Sequence, residues 1–232
     1  AAAAAGGAPP PAAPPFPFRL APMLSRSAAD EALRELVDAE QLELTAYEEG
    51  GAMRRAPRRM AWFAADAAWW YPFSRSHGKG LRAHALRSAP WVERLLQVAS
   101  AAAGCEFNAC LLNAYRIGSE FAAWHADDDP WLDAAAPIAS ISLGAERDFL
   151  VRPKVQNAAR QPEDFDGADV AAFRLRHGSM LVMEAGAQEG WRHALPPCAD
   201  AGARVNLTFR RVDPARVHLQ HDGRTLKQNW GS

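Results

Sequence analysis

Residues 203–212 read ARVNLTFRRV, and the alternation inside that stretch decides the fold class. Strand side chains point to opposite faces with period two, so Arg204, Asn206, Thr208 and Arg210 share one face. Val205, Leu207 and Phe209 share the other and read as core. Two guanidiniums, an amide and a hydroxyl are a costly inward face unless an anion answers them, because a buried unpaired charge costs several kcal/mol. A guanidinium grips a carboxylate through two parallel hydrogen bonds. A dicarboxylate held by its far end on one arginine, with its oxo-acid end on a metal, fits such a face. From this strand alone, an exposed polar face is the competing reading.

Short segments of the same kind precede it: CLLNAYRIG (110–118), PIASISLGA (137–145), RDFLVRP (147–153), DVAAFRLR (169–176) and SMLVMEA (179–185). Each is β-rich and bounded by Gly, Pro or Asp, and no helical pattern separates them, which predicts an antiparallel sandwich or jelly roll. In LLNAYRIG the alternation puts Asn113 and Tyr115 on one face, where both can donate to a carboxylate or simply satisfy a sheet edge.

The chain reads differently before Cys105. Ser27 and Asp30 predict a helix cap, with Leu33, Leu36 and Val37 on one face of a helix over 28–40. GGAMRRAPRRM (50–60) reads as a basic turn. A second helix is expected over 90–103, with Trp91, Leu95 and Val98 as its apolar stripe. Residues 1–20 are Ala/Pro/Gly low complexity, without the apolar pattern a core needs. The expected class is α+β: a disordered tail over 1–27, a helical and basic part over 28–104, an all-β core over 105–213 and a tail over 214–232.

Bulk numbers narrow the function. Hydrophobic residues are 49% and charged residues 23% of the 232, as in ordinary globular chains. Net charge is −1, so the whole chain carries no polyanion footprint. Locally it does: residues 51–90 hold eight Lys/Arg against Asp66 alone, enough to bind phosphates. Three cysteines, none in a CxxC pair, make neither a disulfide framework nor a Cys-type zinc site. No apolar run has the length to span a bilayer, so no membrane partner is expected. The start is acid-poor: Arg19, Ser25, Arg26 and Ser27 precede the first acid, Asp30. That pattern fits an organelle transit segment or a plain linker.

WHADDD (124–129) places His125 and Asp127 on one side of an extended segment, and WRHALPP (191–197) offers His193. Two imidazoles and one carboxylate leave three octahedral positions open, the arrangement non-haem Fe(II) oxygenases use; zinc or manganese would accept the same donors.

NAYRIG, HADDD, PIASISLGAERDF, HGSMLVM, WRHALPP and RVNLTFR, in that order, resemble the AlkB family of Fe(II)/2-oxoglutarate-dependent dioxygenases, specifically its eukaryotic DNA-repair subgroup. The match runs from about Pro57 to Val212. The resemblance implies a double-stranded β-helix and, carried over by position, His125, Asp127 and His193 as iron ligands and catalytic centre. It implies 2-oxoglutarate contacts from Asn113, Tyr115, Arg204, Asn206, Thr208 and Arg210. Arg204 would take the far carboxylate and Arg210 the end nearer the metal. Asp128 and Asp129 would meet a flipped base, and YPFS (71–74), like the family's YTFS, would stack Tyr71 and Phe73 on it. The implied cosubstrates are 2-oxoglutarate and O2. The implied reaction is oxidative demethylation of 1-methyladenine or 3-methylcytosine in nucleic acid, DNA before RNA, by a monomer in the nucleus, with an organelle as the alternative. EEGGAMRRAP (48–57) departs from the family: Met53 is its only large apolar residue where repair relatives carry an apolar finger, which favours a single-stranded substrate. Three rivals remain. They are an RNA or protein demethylase on the same fold, a non-catalytic nucleic-acid-binding module, and a zinc hydrolase, which would leave the Arg204/Arg210 face unexplained.

Overall fold

The computed structural model describes residues 16–22, 24–49, 52–71, 80–154, 165–221 and 224–226. Its elements, in chain order, are β1 (Phe18–Ala21), α1 (Arg26–Leu36), β2 (Glu43–Glu49), β3 (Ala52–Ala64), β4 (Trp69–Tyr71), β5 (Leu81–Ala85) and α2 (Pro90–Ala103). Then come β6 (Ala109–Tyr115), β7 (Ala122–His125), β8 (Ile138–Gly144), β9 (Arg147–Pro153), β10 (Ala171–Leu175), β11 (Met180–Met183), α3 (Ala187–Gly190), β12 (Trp191–Leu195), β13 (Arg204–Arg210), β14 (His218–His221) and β15 (Arg224–Leu226).

Two sheets face each other. The larger runs β1-β11-β8-β13-β6-β3-β5-β4-β14-β15, with β2 paired to β3; the smaller runs β10-β9-β12-β7. Between β6 and β13 the chain passes back and forth between the sheets, which makes the jelly roll the strand pattern predicts. β13 lies between β6 and β8, antiparallel to both. Its Val205, Leu207 and Phe209 join one buried cluster with residues of α1 and α2, which cover the outer face of the large sheet. Each such side chain contributes about 1.5–3 kcal/mol on burial. The opposite face of β13 turns toward the small sheet, and all seven of its residues are buried. A solvent-exposed polar strand face is therefore excluded.

The helices sit near their expected places, with differences. Ser25 is the N-cap of α1, its side chain accepting from the Ala28 amide, whereas Ser27 and Asp30 lie inside the helix. Ser25 wins because the chain is already extended there, at φ −61° and ψ 149°, as an N-cap requires. α2 matches its expected span, begins with Pro90 in its first turn and closes at Gly104 with φ 63°, a left-handed conformation that favours glycine. Its buried residues are Trp91, Val92, Leu95 and Ala99, while Val98 is exposed at 38%.

Three organisational expectations fail. Residues 52–64 are a 13-residue strand rather than a basic turn, paired to β2 and β6. Met60–Phe63 supply four fully buried residues, enough to hold a strand despite the arginines beside them. No boundary falls at 104, because β3 and β5 continue the large sheet from β6. The expected tails also contribute strands: β1 pairs with β11, burying Phe18, and β14 pairs with β4. Residues 1–15 lie outside the described residues.

Candidate metal and cosubstrate site

The site forms where the small sheet meets the polar face of the large one, around a cavity of about 280 Å³. β7 and β12 pair so that His125 faces His193 directly, with ring centroids 4.2 Å apart. Neither strand was predicted, because each is short and its apolar residues are alanine, tryptophan and leucine in a mixed pattern. Asp127 follows two residues after β7. Ligand-capable atoms of His125, Asp127 and His193 all lie within 4.8 Å of one another, so the pattern HxD…H converges on one point.

Each donor is held in place. His125 Nδ1 lies 2.8 Å from the Ala123 carbonyl oxygen, so that nitrogen carries the proton and Nε2 is the one left to bind a cation. The Phe149 ring stacks on His193 at 5.1 Å. Burial, reinforced by the neighbouring imidazole, pushes the His193 value down to about 3, and burial also lowers His125. Both imidazoles are thus neutral at physiological pH, as a metal ligand must be. Burial alone would raise the Asp127 carboxyl, but Arg210 and the two imidazoles outweigh it and hold Asp127 below the ordinary carboxylate range. Arg210 Nη2 donates to Asp127 Oδ2 at 2.8 Å.

The polar face of β13 lines the same cavity, as do Asn113 and Tyr115. Arg204 Nη2 donates to Ser142 Oγ at 2.9 Å, Asn206 Nδ2 to Ser140 Oγ at 2.7 Å, and Thr208 Oγ1 to Asn206 Oδ1 at 3.0 Å. These bonds leave two buried guanidinium nitrogens, Arg204 Nε and Arg210 Nη1, without an acceptor. Arg204 has no carboxylate within ion-pair distance among the described residues. Burial, with Arg147 nearby, lowers its value to about 10. Two orphaned donors on one strand face, one of them beside the Asp127 carboxylate, fit a dicarboxylate that reaches from Arg204 to the metal. Two imidazoles and a carboxylate suit Fe(II).

The expected substrate residues divide. Tyr71 lines the cavity, its ring braced by Trp62 at 5.0 Å and Trp131 at 5.4 Å. Asp129 lines it too, and burial together with the Asp127 charge pushes its carboxyl up to about 7. Asp128 turns outward to Lys154 Nζ at 2.7 Å and does not line this cavity. Phe73 lies outside the described residues. Trp62 and Trp69 are buried.

Four further residues were not read from the sequence. Ser140 and Ser142 alternate in PIASISLG with the same period as RVNLTFR, and that alignment is a signal that could have found them. Arg58, counted among the phosphate-facing basic residues, instead donates from Nε to Asn113 Oδ1 at 2.7 Å and lies against the Tyr115 ring at 6.0 Å. Arg147, fully buried, donates to the Glu120 and Pro196 carbonyls and lies 5.8 Å from the centre of the same ring. No periodicity distinguishes an arginine that turns inward.

Comparisons with known proteins agree with this geometry. Residues 19–210 match the family model described as the 2OG-Fe(II) oxygenase superfamily. The chain is 33% identical over 201 residues to the DNA oxidative demethylase ALKBH2 of Mus musculus, covering 84% of this chain and 79% of that protein. It is 39% identical over 122 residues to the protein of the same name in Arabidopsis thaliana, covering 47% of this chain and 39% of that protein. The solved structure of OsALKBH1 shares the fold, with a TM-score of 0.55 at 17% identity, over 84% of this chain and 98% of that one.

Proposed function

The chain belongs to the 2OG-Fe(II) oxygenase superfamily, and from that premise we propose that it removes methyl groups oxidatively from N-alkylated bases in DNA. The observation that carries the proposal is the convergence of His125, Asp127 and His193 on one point beside the orphaned donors of Arg204 and Arg210.

His125, Asp127 and His193 would hold Fe(II). Bound there with 2-oxoglutarate and O2, iron supplies the oxidation of an N-methyl group, giving formaldehyde, succinate, CO2 and the unmodified base. Everything else is done by the chain. Arg204 takes the far carboxylate of 2-oxoglutarate, and Tyr115 lies against the Arg204 guanidinium at 5.3 Å. Arg210 keeps Asp127 ionised and offers Nη1 to the end nearer the metal. Asn113, Asn206 and Thr208 line the wall between them. Tyr71 and Asp129 face the same cavity, where an aromatic ring and a carboxylate suit a flipped, cationic methylated base. Stacking on such a ring contributes about 1–3 kcal/mol.

The strand carrying Arg55 and Arg59 lines the cavity at Ala56–Arg58, and these two arginines would hold flanking phosphates, which position nucleic acid without reading its sequence. Met53, the one large apolar residue of the stretch that departs from the family, stands on β3 opposite Glu48. That composition supports single strands over duplexes as substrate. A zinc hydrolase leaves the orphaned arginine donors without purpose, and a non-catalytic module leaves the metal constellation without one.

The test is formaldehyde release from matched single- and double-stranded DNA and RNA oligonucleotides carrying 1-methyladenine or 3-methylcytosine. The expected result is release from DNA, faster from single strands. Release from none of them, with 2-oxoglutarate still bound, would move the substrate to another class.

A further inference from the structure

We propose that Gln188 is a positioning residue for the carboxylate arm of the metal site. The inference rests on the reading of His125, Asp127 and His193 as the ligands. β7 ends at His125, so the ladder with β12 no longer holds the chain when it reaches Asp127. A backbone N–H there needs an acceptor, and an orphaned one is costly. Gln188 supplies it: its Oε1 accepts from the Asp127 N–H at 2.9 Å. Its Nε2 lies 3.3 Å from Met183 Sδ, on the strand that enters the turn.

The turn itself is anchored. Ala187 is buried at 1% and joins the same apolar cluster as Met183, Phe149 and Trp191. Gln188 therefore projects from a fixed point. That point lies on the connection that delivers His193 five residues later, so one short turn governs two of the three ligands. Asp127 is held twice: at its carboxylate by Arg210 and at its backbone by Gln188. Without Gln188, Arg210 still fixes the charge, but the backbone that aims the carboxylate is free to swing. Groups that hold metal ligands this way are worth about 10- to 100-fold in metal affinity.

The experiment titrates Mn(II) into the metal-free full chain by calorimetry, for wild type, Gln188→Ala, Gln188→Asn and Gln188→Glu, with thermal midpoints taken in parallel. Gln188→Ala removes the acceptor, and Gln188→Asn shortens the reach by one methylene. Both are expected to raise the Mn(II) Kd about 10- to 100-fold. Gln188→Glu keeps an acceptor at full reach and is expected to bind within a few-fold of wild type. The metal-free midpoints of all four should agree within a few degrees, which a general loosening of the turn would not allow. Unchanged Mn(II) affinity in Gln188→Ala overturns the role of Gln188 alone. A wild-type chain that binds no Mn(II) overturns both this role and the reading of the metal site.

Discussion

The two halves of the site solve opposite problems with the same burial. On the small sheet, β7 and β12 bring two imidazoles together, His193 buried and His125 partly exposed, and desolvation lowers both pKa values, leaving the pair ready for a cation. On the large sheet, β13 buries two guanidiniums that cannot lose their charge and leaves nitrogens on each without an acceptor, ready for an anion. Burial silences a histidine and leaves an arginine charged because their ordinary pKa values lie about six units apart. Arg210 joins the halves, through its bond to Asp127. A cavity prepared for a cation at one end and an anion at the other suits a metal and an oxo-acid bound together.

The largest expected effects fall on the metal half. His125→Ala or Asp127→Ala should abolish turnover with the fold intact, read by formaldehyde release and far-ultraviolet circular dichroism. Turnover near wild type in either variant would break the comparison at its first half. Arg204→Met should raise the Kd for 2-oxoglutarate by about two orders of magnitude, since losing a buried charged partner costs about 3 kcal/mol or more. Its Mn(II) affinity without cosubstrate should stay put. Equal losses of both would show that the halves are not separable.

Acid tests the claim about burial. His193 has a folded value of about 3 against the ordinary 6.5. Between those values the unfolded chain binds more protons than the folded one, so stability is full above about 6.5 and falls as pH drops through the window. By pH 5 the metal-free chain should lose about 2 kcal/mol from this residue, and His193→Gln should flatten the profile. Denaturant unfolding at pH 7 and pH 5 reads it directly. The smallest effects separate neighbouring acids. Asp129→Asn should lower kcat/KM on methylated DNA about tenfold, the scale of a hydrogen bond to a charged group. Asp128→Asn removes only a half-exposed pair with Lys154 and should change stability by less than about 1 kcal/mol. Equal effects on activity would return Asp128 to the substrate site.

What the sequence disclosed follows the same division. β13 was legible because its period-two pattern is strict and its polar face is chemically odd; the strand, its orientation and its four inward residues all stand. The ligand triad was legible as a motif, yet the strands that carry His125 and His193 were not, since four and five residues with no clean alternation give too little signal. β3 was misread because its arginines masked a buried run. Arg147, Arg58 and Gln188 were invisible for one shared reason: which way a long polar side chain turns depends on partners far away in sequence.

The measurement that tests the account most directly follows succinate and formaldehyde together from a 3-methylcytosine oligonucleotide, with Fe(II) and 2-oxoglutarate each supplied or withheld. The account predicts equal amounts of the two products, both requiring both additions and both lost in Asp127→Ala. Formaldehyde formed without 2-oxoglutarate, or a methyl group removed without succinate, would contradict it.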